Sequence, residues 1–158
     1  MELSDDVLVR ACLAGDRSAF AALMERHVRR VFAIAYSERL SEGDAADVAQ
    51  GSFTRAYDRL NQLRRPDRFG AWIARIAYHQ ARDYRRLRRT EIPTDMVRLL
   101  EDRPVANDAI GQFESIEDAR TLISKGLAAL PKNLREPLTM HYMGRMSHSD
   151  IAELLSTS

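Results

Sequence analysis

The sequence predicts an all-α protein built from two small helical units. Only 7 glycines and 5 prolines interrupt its 158 residues, while the helix-favouring residues alanine, leucine, arginine and glutamate are abundant. Apolar residues recur at steps of three and four along most of the chain, the spacing that puts them on one face of a helix. No run of alternating β-branched residues is long enough to indicate a strand.

The first three predicted helices each have a start signal and an inward face. SDDVLVRACLAGD begins with a Ser/Asp cap, stops at Gly15 and places Leu8, Ala11 and Cys12 on one side. Asp16 can cap the second helix, and the third runs from about Asp44 to Leu60. The inward residues of the second helix are Phe20, Leu23, His27, Val31 and Ala35. Those of the third are Val48, Phe53, Ala56, Tyr57 and Leu60.

The fourth predicted helix, roughly Asp67 to Arg89, carries two stripes of opposite character, and Pro66 is well placed to open it. Its inward stripe is Phe69, Trp72, Ile73, Ile76, Gln80, Tyr84 and Leu87. Its basic stripe is Arg75, His79, Arg82, Arg86 and Arg89. At ~1.5 Å per residue the helix is ~30 Å long, comparable to several nucleotides of backbone. Trp72 lies mid-stripe and is predicted to be core rather than a base-stacking platform.

Charge divides the chain, although its net value is only +1. Residues 55–90 contain eleven arginines against three aspartates, a balance of +8, which makes this block a candidate polyanion surface. Residues 91–118 hold eight acids against two arginines, a balance of −6. Because prolines and a glycine also interrupt the acidic stretch, residues 91–113 are predicted to link a first domain, residues 1–90, to a second, residues 114–158.

The second domain reads as three short helices. IEDARTLISKGLAAL ends at Pro131, and NLREPLTMHYMGR stops at Gly144. SHSDIAELL has Ser147 and Asp150 three residues apart, the spacing of a capping box. The inward residues of the first of these helices are Ile116, Ala119, Ile123 and Leu127 or Leu130. Those of the last are Ile151, Leu154 and Leu155.

The sequence argues against an enzyme, a metal site or a bound cofactor. The four histidines, at positions 27, 79, 141 and 148, lie on different predicted helices without ligand spacing. The sequence contains no glycine-rich phosphate loop, nucleophile elbow or H-E-x-x-H motif. Cys12 is the only cysteine, which fits a reducing compartment. Since the sequence shows neither the pattern of a signal peptide nor a bilayer-spanning apolar stretch, a cytoplasmic protein without membrane insertion is expected.

Four segments, in order, resemble the bacterial extracytoplasmic-function (ECF) sigma factors. DRSAFAALMERHVRRVFAIAY resembles the first conserved helices of the group, and DAADVAQGSFTRAYDRL resembles the segment that grips the polymerase core. FGAWIARIAYHQARDYRRLRR resembles the helix that melts the promoter and reads the minus-ten element. LAALPKNLREPLTMHYMGRMSHSDIAELL resembles the start of the domain that reads the minus-thirty-five element. The two domains would then correspond to sigma region 2 and to part of region 4.

The resemblance implies a transcription initiation factor that directs RNA polymerase core to promoters and stabilises the melted minus-ten region. Holding unpaired bases and their phosphates requires cationic side chains and a pocket or aromatic surface. The implied DNA-binding residues are Asn61, Arg64, Arg65, Arg68, Phe69, Arg75, His79, Arg82, Arg85, Arg86 and Arg89. The implied contacts to the coiled coil of the polymerase β′ subunit are Asp44, Asp47, Gln50 and Thr54. An anti-sigma factor that masks both domains is also implied.

The sequence departs from the family pattern at three places. In the resembled family, asparagine stands at the position of His79. Gly51 stands where the family usually has glutamate, and a glycine there weakens the helix locally by up to ~1 kcal/mol. In the second domain Ser156 stands where the helix-turn-helix turn has glycine, and the sequence stops before a recognition helix. The chain as given is therefore expected not to read the upstream element. Three explanations stay open for the missing helix: the chain is a fragment of a longer protein, its remainder was lost or disordered, or it is a natural truncation.

Two other functions stay open at this point. The chain could be a DNA-binding regulator that uses a helix-turn-helix without polymerase, or a basic helical module that binds an acidic protein or an anionic membrane surface. The arginines could also be only a solvated helix face. Native pull-down of core polymerase separates the sigma factor from the regulator, because a regulator would not co-purify with β′.

Overall fold

The computed structural model describes residues 2–89 and 116–156, and within these ranges the regular structure is helical throughout. The α-helices are α1 (Asp5–Leu13), α2 (Arg17–Ser37), α3 (Glu42–Asp58), α4 (Phe69–Arg89), α5 (Ile116–Ala129), α6 (Lys132–Tyr142) and α7 (His148–Ser156). Short 3-10 turns at Leu60–Gln62 and Pro66–Arg68 connect α3 to α4. The all-α prediction is confirmed. The predicted linker, residues 91–113, lies outside the described residues.

Polar side chains cap the N-termini of three of these helices. The N–H groups in the first turn of a helix have no partner within the helix, so a side-chain oxygen accepts their hydrogen bonds. The Asp16 carboxylate accepts a hydrogen bond from the Ser18 amide at 2.9 Å, which confirms the predicted cap of α2. At α7 the Asp150 amide donates to the Ser147 hydroxyl at 3.1 Å. The third helix begins two residues earlier than predicted because Ser41 caps it, accepting from the amide of Asp44 at 3.2 Å.

The first unit, α1 to α4, buries the predicted face of α2. Phe20, Leu23, His27, Val31 and Ala35 all lie inside, as the spacing predicts. The helix crosses α1, α3 and α4, and their apolar side chains close over it. On α4, Phe69 and Ile73 are fully buried, so the inward stripe of this helix anchors it to the same core.

Three residues predicted to face inward are exposed instead. Tyr57 is 44% exposed, although its ring makes an edge-on contact with that of Phe20, with ring centroids 5.0 Å apart. Leu87, in the last turn of α4, is 68% exposed, and Ile123 of α5 is 59% exposed. Periodicity identifies the apolar side of a helix, but how deeply a residue is buried also depends on how closely a neighbouring element packs at that height.

The second unit, α5 to α7, packs directly on the first. Helix α6 lies along α2 and helix α7 lies against α4. Met140, Met146 and Ile151 belong to the same buried cluster as the core of the first unit. Gly144 permits the approach: a β-carbon there would lie 2.9 Å from the Ala33 β-carbon and 2.6 Å from the Met140 carbonyl oxygen. The two units therefore share one apolar core. The division into residues 1–90, 91–113 and 114–158 remains a prediction.

No described helix is both long and apolar enough to cross a membrane.

Candidate nucleic-acid interface

An exposed row of basic side chains follows α4 on the side away from the core. Arg75, His79, Arg82 and Arg86 are exposed, while small alanines on the opposite side let the helix pack closely. The Arg82 guanidinium lies over the Tyr78 ring, 5.5 Å from its centroid, in a cation–π contact that holds it at the surface. Arg86 is 80% exposed and lies 3.3 Å from Asp83. The side chain of Arg89 lies outside the described part.

A cavity of about 590 Å³ opens beside the start of α4. The loop residues Leu63, Arg64 and Arg65 form one wall, and Trp72 and Arg75 of α4 form another. Trp72 is half buried: its ring packs 6.0 Å from that of Phe69 and also lines the cavity. The prediction of Trp72 as core is therefore correct for only part of its surface. Cations and an aromatic ring around one cavity suit an unstacked base and its phosphates.

Carboxylates already engage several of the predicted DNA-binding arginines. Arg68 binds the carboxylate of Glu153 on α7, and Arg75 lies 4.0 Å from the second oxygen of that carboxylate. The hydrogen bond to Glu153 and its negative charge raise the pKa of Arg68. Arg65 lies 2.8 Å from Asp67. Arg64 is exposed in the loop and lines the cavity, and Asn61 is exposed in the preceding 3-10 turn.

Phe69 and Arg85 are corrected by the structure. Phe69 has no exposed surface, since its ring packs against Phe20 and His27, so assigning it to direct DNA contact is wrong in this conformation. The side chain of Arg85 is only 18% exposed, and its guanidinium lies 3.1 Å from the buried carboxylate of Glu38. Arg85 therefore serves an internal ion pair in place of the surface role predicted for it.

The predicted polymerase face on α3 consists of three exposed residues and one, Asp44, that is half-buried. Asp47, Gln50 and Thr54 are exposed. The carboxylate of Asp44 instead accepts hydrogen bonds from the Tyr84 hydroxyl at 3.1 Å and from Arg88 at 3.0 Å. Burial acts to raise the pKa of Asp44, but the hydrogen bonds from Ser41 and Tyr84 and the charge of Arg88 outweigh it, so the pKa is lowered.

Sequence reasoning missed Tyr84 and Arg88 as the link between α3 and α4. The Tyr84 hydroxyl also lies 3.2 Å from Asp47, so a single phenol joins two carboxylates of α3 to the basic helix. The available signal was a tyrosine at the end of an apolar stripe, at a level where its hydroxyl leaves the core and needs a partner. The structure thus ties the predicted polymerase face to the predicted DNA helix.

Gln80 interrupts the apolar stripe of α4 for a reason visible on α3. The Ser52 hydroxyl, fully buried, donates to the Gln80 side-chain oxygen at 2.8 Å. A β-carbon on Gly51 would lie 3.2 Å from that same oxygen. The glycine that departs from the family pattern therefore lies on α3 directly against the Gln80 side chain of α4.

Nothing in residues 2–89 and 116–156 suggests a metal centre, because no three His, Cys, Asp or Glu side chains are grouped to hold an ion. The described surface offers cations, an aromatic ring and a cavity. These groups suit a polyanion such as a nucleic-acid strand.

Known proteins are similar to this chain along nearly its whole length. Family models of Sigma-70 region 2 and Sigma-70, region 4 match residues 23–91 and 120–158. The chain is 29% identical over 161 residues to the ECF RNA polymerase sigma-E factors of Salmonella typhimurium (strain LT2) and Escherichia coli (strain K12), covering 98% of this chain and 84% of each relative. It is also similar to CnrH, solved in complex with the cytosolic domain of CnrY, with 29% identity, a TM-score of 0.66 and coverage of 98% and 84%.

Proposed function

The chain belongs to the sigma-70 family, in the ECF group of RNA polymerase sigma factors, and we propose that it directs core polymerase to promoters and holds the opened minus-ten strand on α4. A sigma factor is a transcription initiation factor and carries out no catalysis of its own. The observation that carries the proposal is the exposed row of His79, Arg82 and Arg86 on a helix whose opposite side is anchored in the core.

The basic row and the cavity bind different parts of the strand: the row binds phosphates and the cavity binds a base. Arg82 and Arg86 bind backbone phosphates as charge-assisted contacts, and the helix fixes the spacing of their backbone positions in advance. An extruded base enters the cavity between the loop and Trp72, whose ring offers a stacking face. His79 replaces an amide with an imidazole, which can still stack or hydrogen-bond with a base. Asn61, Arg64 and Arg65 close the loop side of this site.

Core polymerase docks on α3 through Asp47, Gln50 and Thr54, the three exposed members of the predicted set. A carboxylate and an amide suit an arginine-bearing helix such as one strand of the β′ coiled coil. Asp44 contributes indirectly, because its bonds to Tyr84 and Arg88 hold α3 against the DNA-holding helix.

Control by an anti-sigma factor completes the proposal. The similar chain CnrH is held by the cytosolic domain of another protein, CnrY. On this chain Leu134, Leu138 and Tyr142 are exposed one turn apart along α6, an apolar stripe suited to an amphipathic partner helix. The protein acts in the cytoplasm, where the polymerase core and the chromosome are.

Replacing both Arg82 and Arg86 with alanine tests the role of the basic row. We expect open-complex formation, measured by permanganate reactivity of the minus-ten thymines, to fall about tenfold, since two exposed cation–phosphate contacts are together worth roughly 1–2 kcal/mol. Core binding, measured by native pull-down of β′, should be unchanged. The alternatives of a polymerase-independent regulator and a basic interaction module predict no co-purification with β′.

A matched variant, Arg17→Ala with Lys125→Ala, removes the same charge from exposed positions elsewhere. It should leave promoter opening within about twofold of the unaltered chain. Promoter opening that is equally strong in the Arg82/Arg86 variant and in the unaltered chain would remove the basis for assigning the strand to α4. The reciprocal change, Asp47→Ala with Gln50→Ala, should weaken β′ binding and spare affinity for an isolated strand.

A further inference from the structure

Two carboxylates of α7 face three arginines of the first unit. Glu153 binds Arg68 and lies 4.0 Å from Arg75, and Asp150 lies 3.6 Å from Arg30. Each pair joins residues from different units, so none of them is needed to form an individual helix. Two of the three arginines belong to the surface proposed to hold the promoter strand.

The Glu153 carboxylate has the chemistry of a phosphate at this position. Guanidinium groups bind carboxylate and phosphate oxygens with the same forked geometry. The two Glu153 oxygens approach different arginines, Arg68 and Arg75, as the oxygens of one bridging phosphate would. The carboxylate also lines the cavity that Trp72 and the loop form. A strand following α4 from Arg82 toward the loop therefore meets α7 at Arg75.

The contact between the units is anchored well beyond these ion pairs. Met146, Ile151 and Leu154 are each no more than 5% exposed and join the core of the first unit. Polar contacts also join the units, among them Arg135 to the Ser37 carbonyl at 2.8 Å, Arg29 to the Met143 carbonyl at 2.7 Å and Tyr78 to Glu136 at 2.9 Å. Because apolar and polar groups are matched across the contact, α7 has a defined place on α4.

We propose that the second unit competes with the promoter strand within the same chain, with Glu153 occupying a phosphate position between Arg68 and Arg75. The proposal rests on the proposed function, since it concerns the same arginines. In the closed chain Glu153 engages Arg68 and lies beside Arg75, while His79, Arg82 and Arg86 are exposed. Departure of α7 frees Arg68, Arg75 and the cavity together, so strand holding and separation of the two units are one event.

Glu153→Gln tests the competition, because it keeps the shape of the side chain and removes the charge. We expect the variant to bind a fluorescent single-stranded minus-ten oligonucleotide with a Kd about two- to fivefold lower than that of the unaltered chain, the effect expected for loss of a partly exposed ion pair. The matched control, Glu25→Gln, removes an exposed acid from α2 and should change Kd by much less. In an Arg68→Ala background the gain from Glu153→Gln should shrink. Equal gains in the two glutamine variants would overturn the proposal.

A distance measurement gives a second, independent test. Fluorophores placed at exposed positions by Ala46→Cys on α3 and Ala152→Cys on α7, in a Cys12→Ala background, should move apart when the oligonucleotide binds. Binding without any change in this distance would overturn the competition while leaving the strand-holding function intact. If the proposed function itself fails, the signature differs: the Arg82/Arg86 variant then binds the oligonucleotide as well as the unaltered chain.

Discussion

At the scale of single residues, His27 shows how an ionisable side chain occupies an apolar helix face. Its ring is 6% exposed, lies 5.4 Å from that of Phe69 and places Nε2 2.8 Å from the Asp5 carboxylate. Arg26 donates to the other oxygen of that carboxylate at 2.6 Å. Burial acts to raise the pKa of Asp5, but the hydrogen bonds with His27 and Arg26 and their charges outweigh it, so the pKa is lowered. Periodicity predicted the burial of His27 but could not identify Asp5, since the partner is on another helix.

Asp5→Asn should therefore destabilise the protein at neutral pH and matter less in acid. A carboxyl whose folded pKa lies below its unfolded value, about 3.9, stabilises the fold above that pH and loses this contribution as pH falls through the folded pKa. Thermal unfolding followed by circular dichroism should show a gap in Tm at pH 7 that narrows by pH 3. Asp6→Asn, which alters an exposed i, i+4 pair with Arg10, should show little gap at either pH. A gap in the Asp5 variant that does not change with pH would contradict this account.

At the scale of elements, the sequence predicted the faces of α2 and α4 well and their partners poorly. A period near 3.6 residues states which side of a helix is apolar, and so the exposure of Arg82 and Arg86 could be predicted. The resemblance implied a DNA-binding role for Arg85, whereas Glu38 at the end of α2 holds its side chain inward. Ion pairs between elements depend on the height and angle at which helices cross, which a one-dimensional pattern does not contain.

Gly51→Ala should stabilise the fold by less than about 1 kcal/mol. Replacing a glycine inside a helix gains up to about 1 kcal/mol, but the new β-carbon would lie 3.2 Å from the Gln80 side-chain oxygen. The end of a glutamine side chain is flexible, so we expect it to shift at the cost of part of that gain, including some of its bond to Ser52. Urea unfolding measures the difference, and Gly43→Ala, with nothing within 4 Å of its β-carbon, is the control. Marked destabilisation by Gly51→Ala would show that α3 and α4 cannot adjust there.

At the scale of the whole molecule, a pair of buried carboxyls lies where the two units meet. Glu38 of the first unit is 2% exposed and Glu136 of the second is 5% exposed. The Lys132 ammonium lies 3.4 Å from Glu38 and 3.5 Å from Glu136. Burial and the hydrogen bond with Glu38 raise the pKa of Glu136. For Glu38, burial acts in the same direction, but the hydrogen bond with Glu136 and the charges of Lys132 and Arg85 outweigh it and lower the pKa.

The contact between units should consequently weaken as pH rises. A carboxyl whose folded pKa is raised stabilises the contact fully below its unfolded pKa, about 4.3, and this contribution is lost as pH rises through the folded value. The groups facing Glu136 are Glu38, Lys132 and Tyr78, and ionisation of Glu136 sets a second negative charge beside Glu38. The distance between fluorophores on α3 and α7 should lengthen between pH 5 and pH 8, and Glu136→Gln should flatten that response. An unaltered response in Glu136→Gln would assign the pH dependence to another group.

The sequence predicted the two units from the acidic stretch between them, but not their contact. Met146 and Leu154 have apolar neighbours within the second unit as well, so their spacing gives no reason to expect burial against α2 and α4. Which apolar faces pack together depends on residues far apart in the sequence, and helical periodicity does not identify these partners. The basic and acidic blocks indicate only that the two parts of the chain attract each other, not where they meet. The same limit applies to the candidate site. Its cationic residues could be predicted from the sequence, but the position of the Glu153 carboxylate beside them could not.

Gly144 has a consequence for how such a chain can change over generations. The two units meet at that position so closely that there is no room for a β-carbon between the Gly144 backbone and the Ala33 side chain. Every amino acid reachable from a glycine codon by one base change brings a β-carbon, which would lie 2.6 Å from the Met140 carbonyl oxygen and 2.9 Å from the Ala33 β-carbon, so each such change requires the backbone near Met140 and the contact with α2 to shift. If the second unit competes with the promoter strand as proposed, substitutions at Gly144 would all act in one direction, toward release of α7 and freer access of DNA to the basic helix.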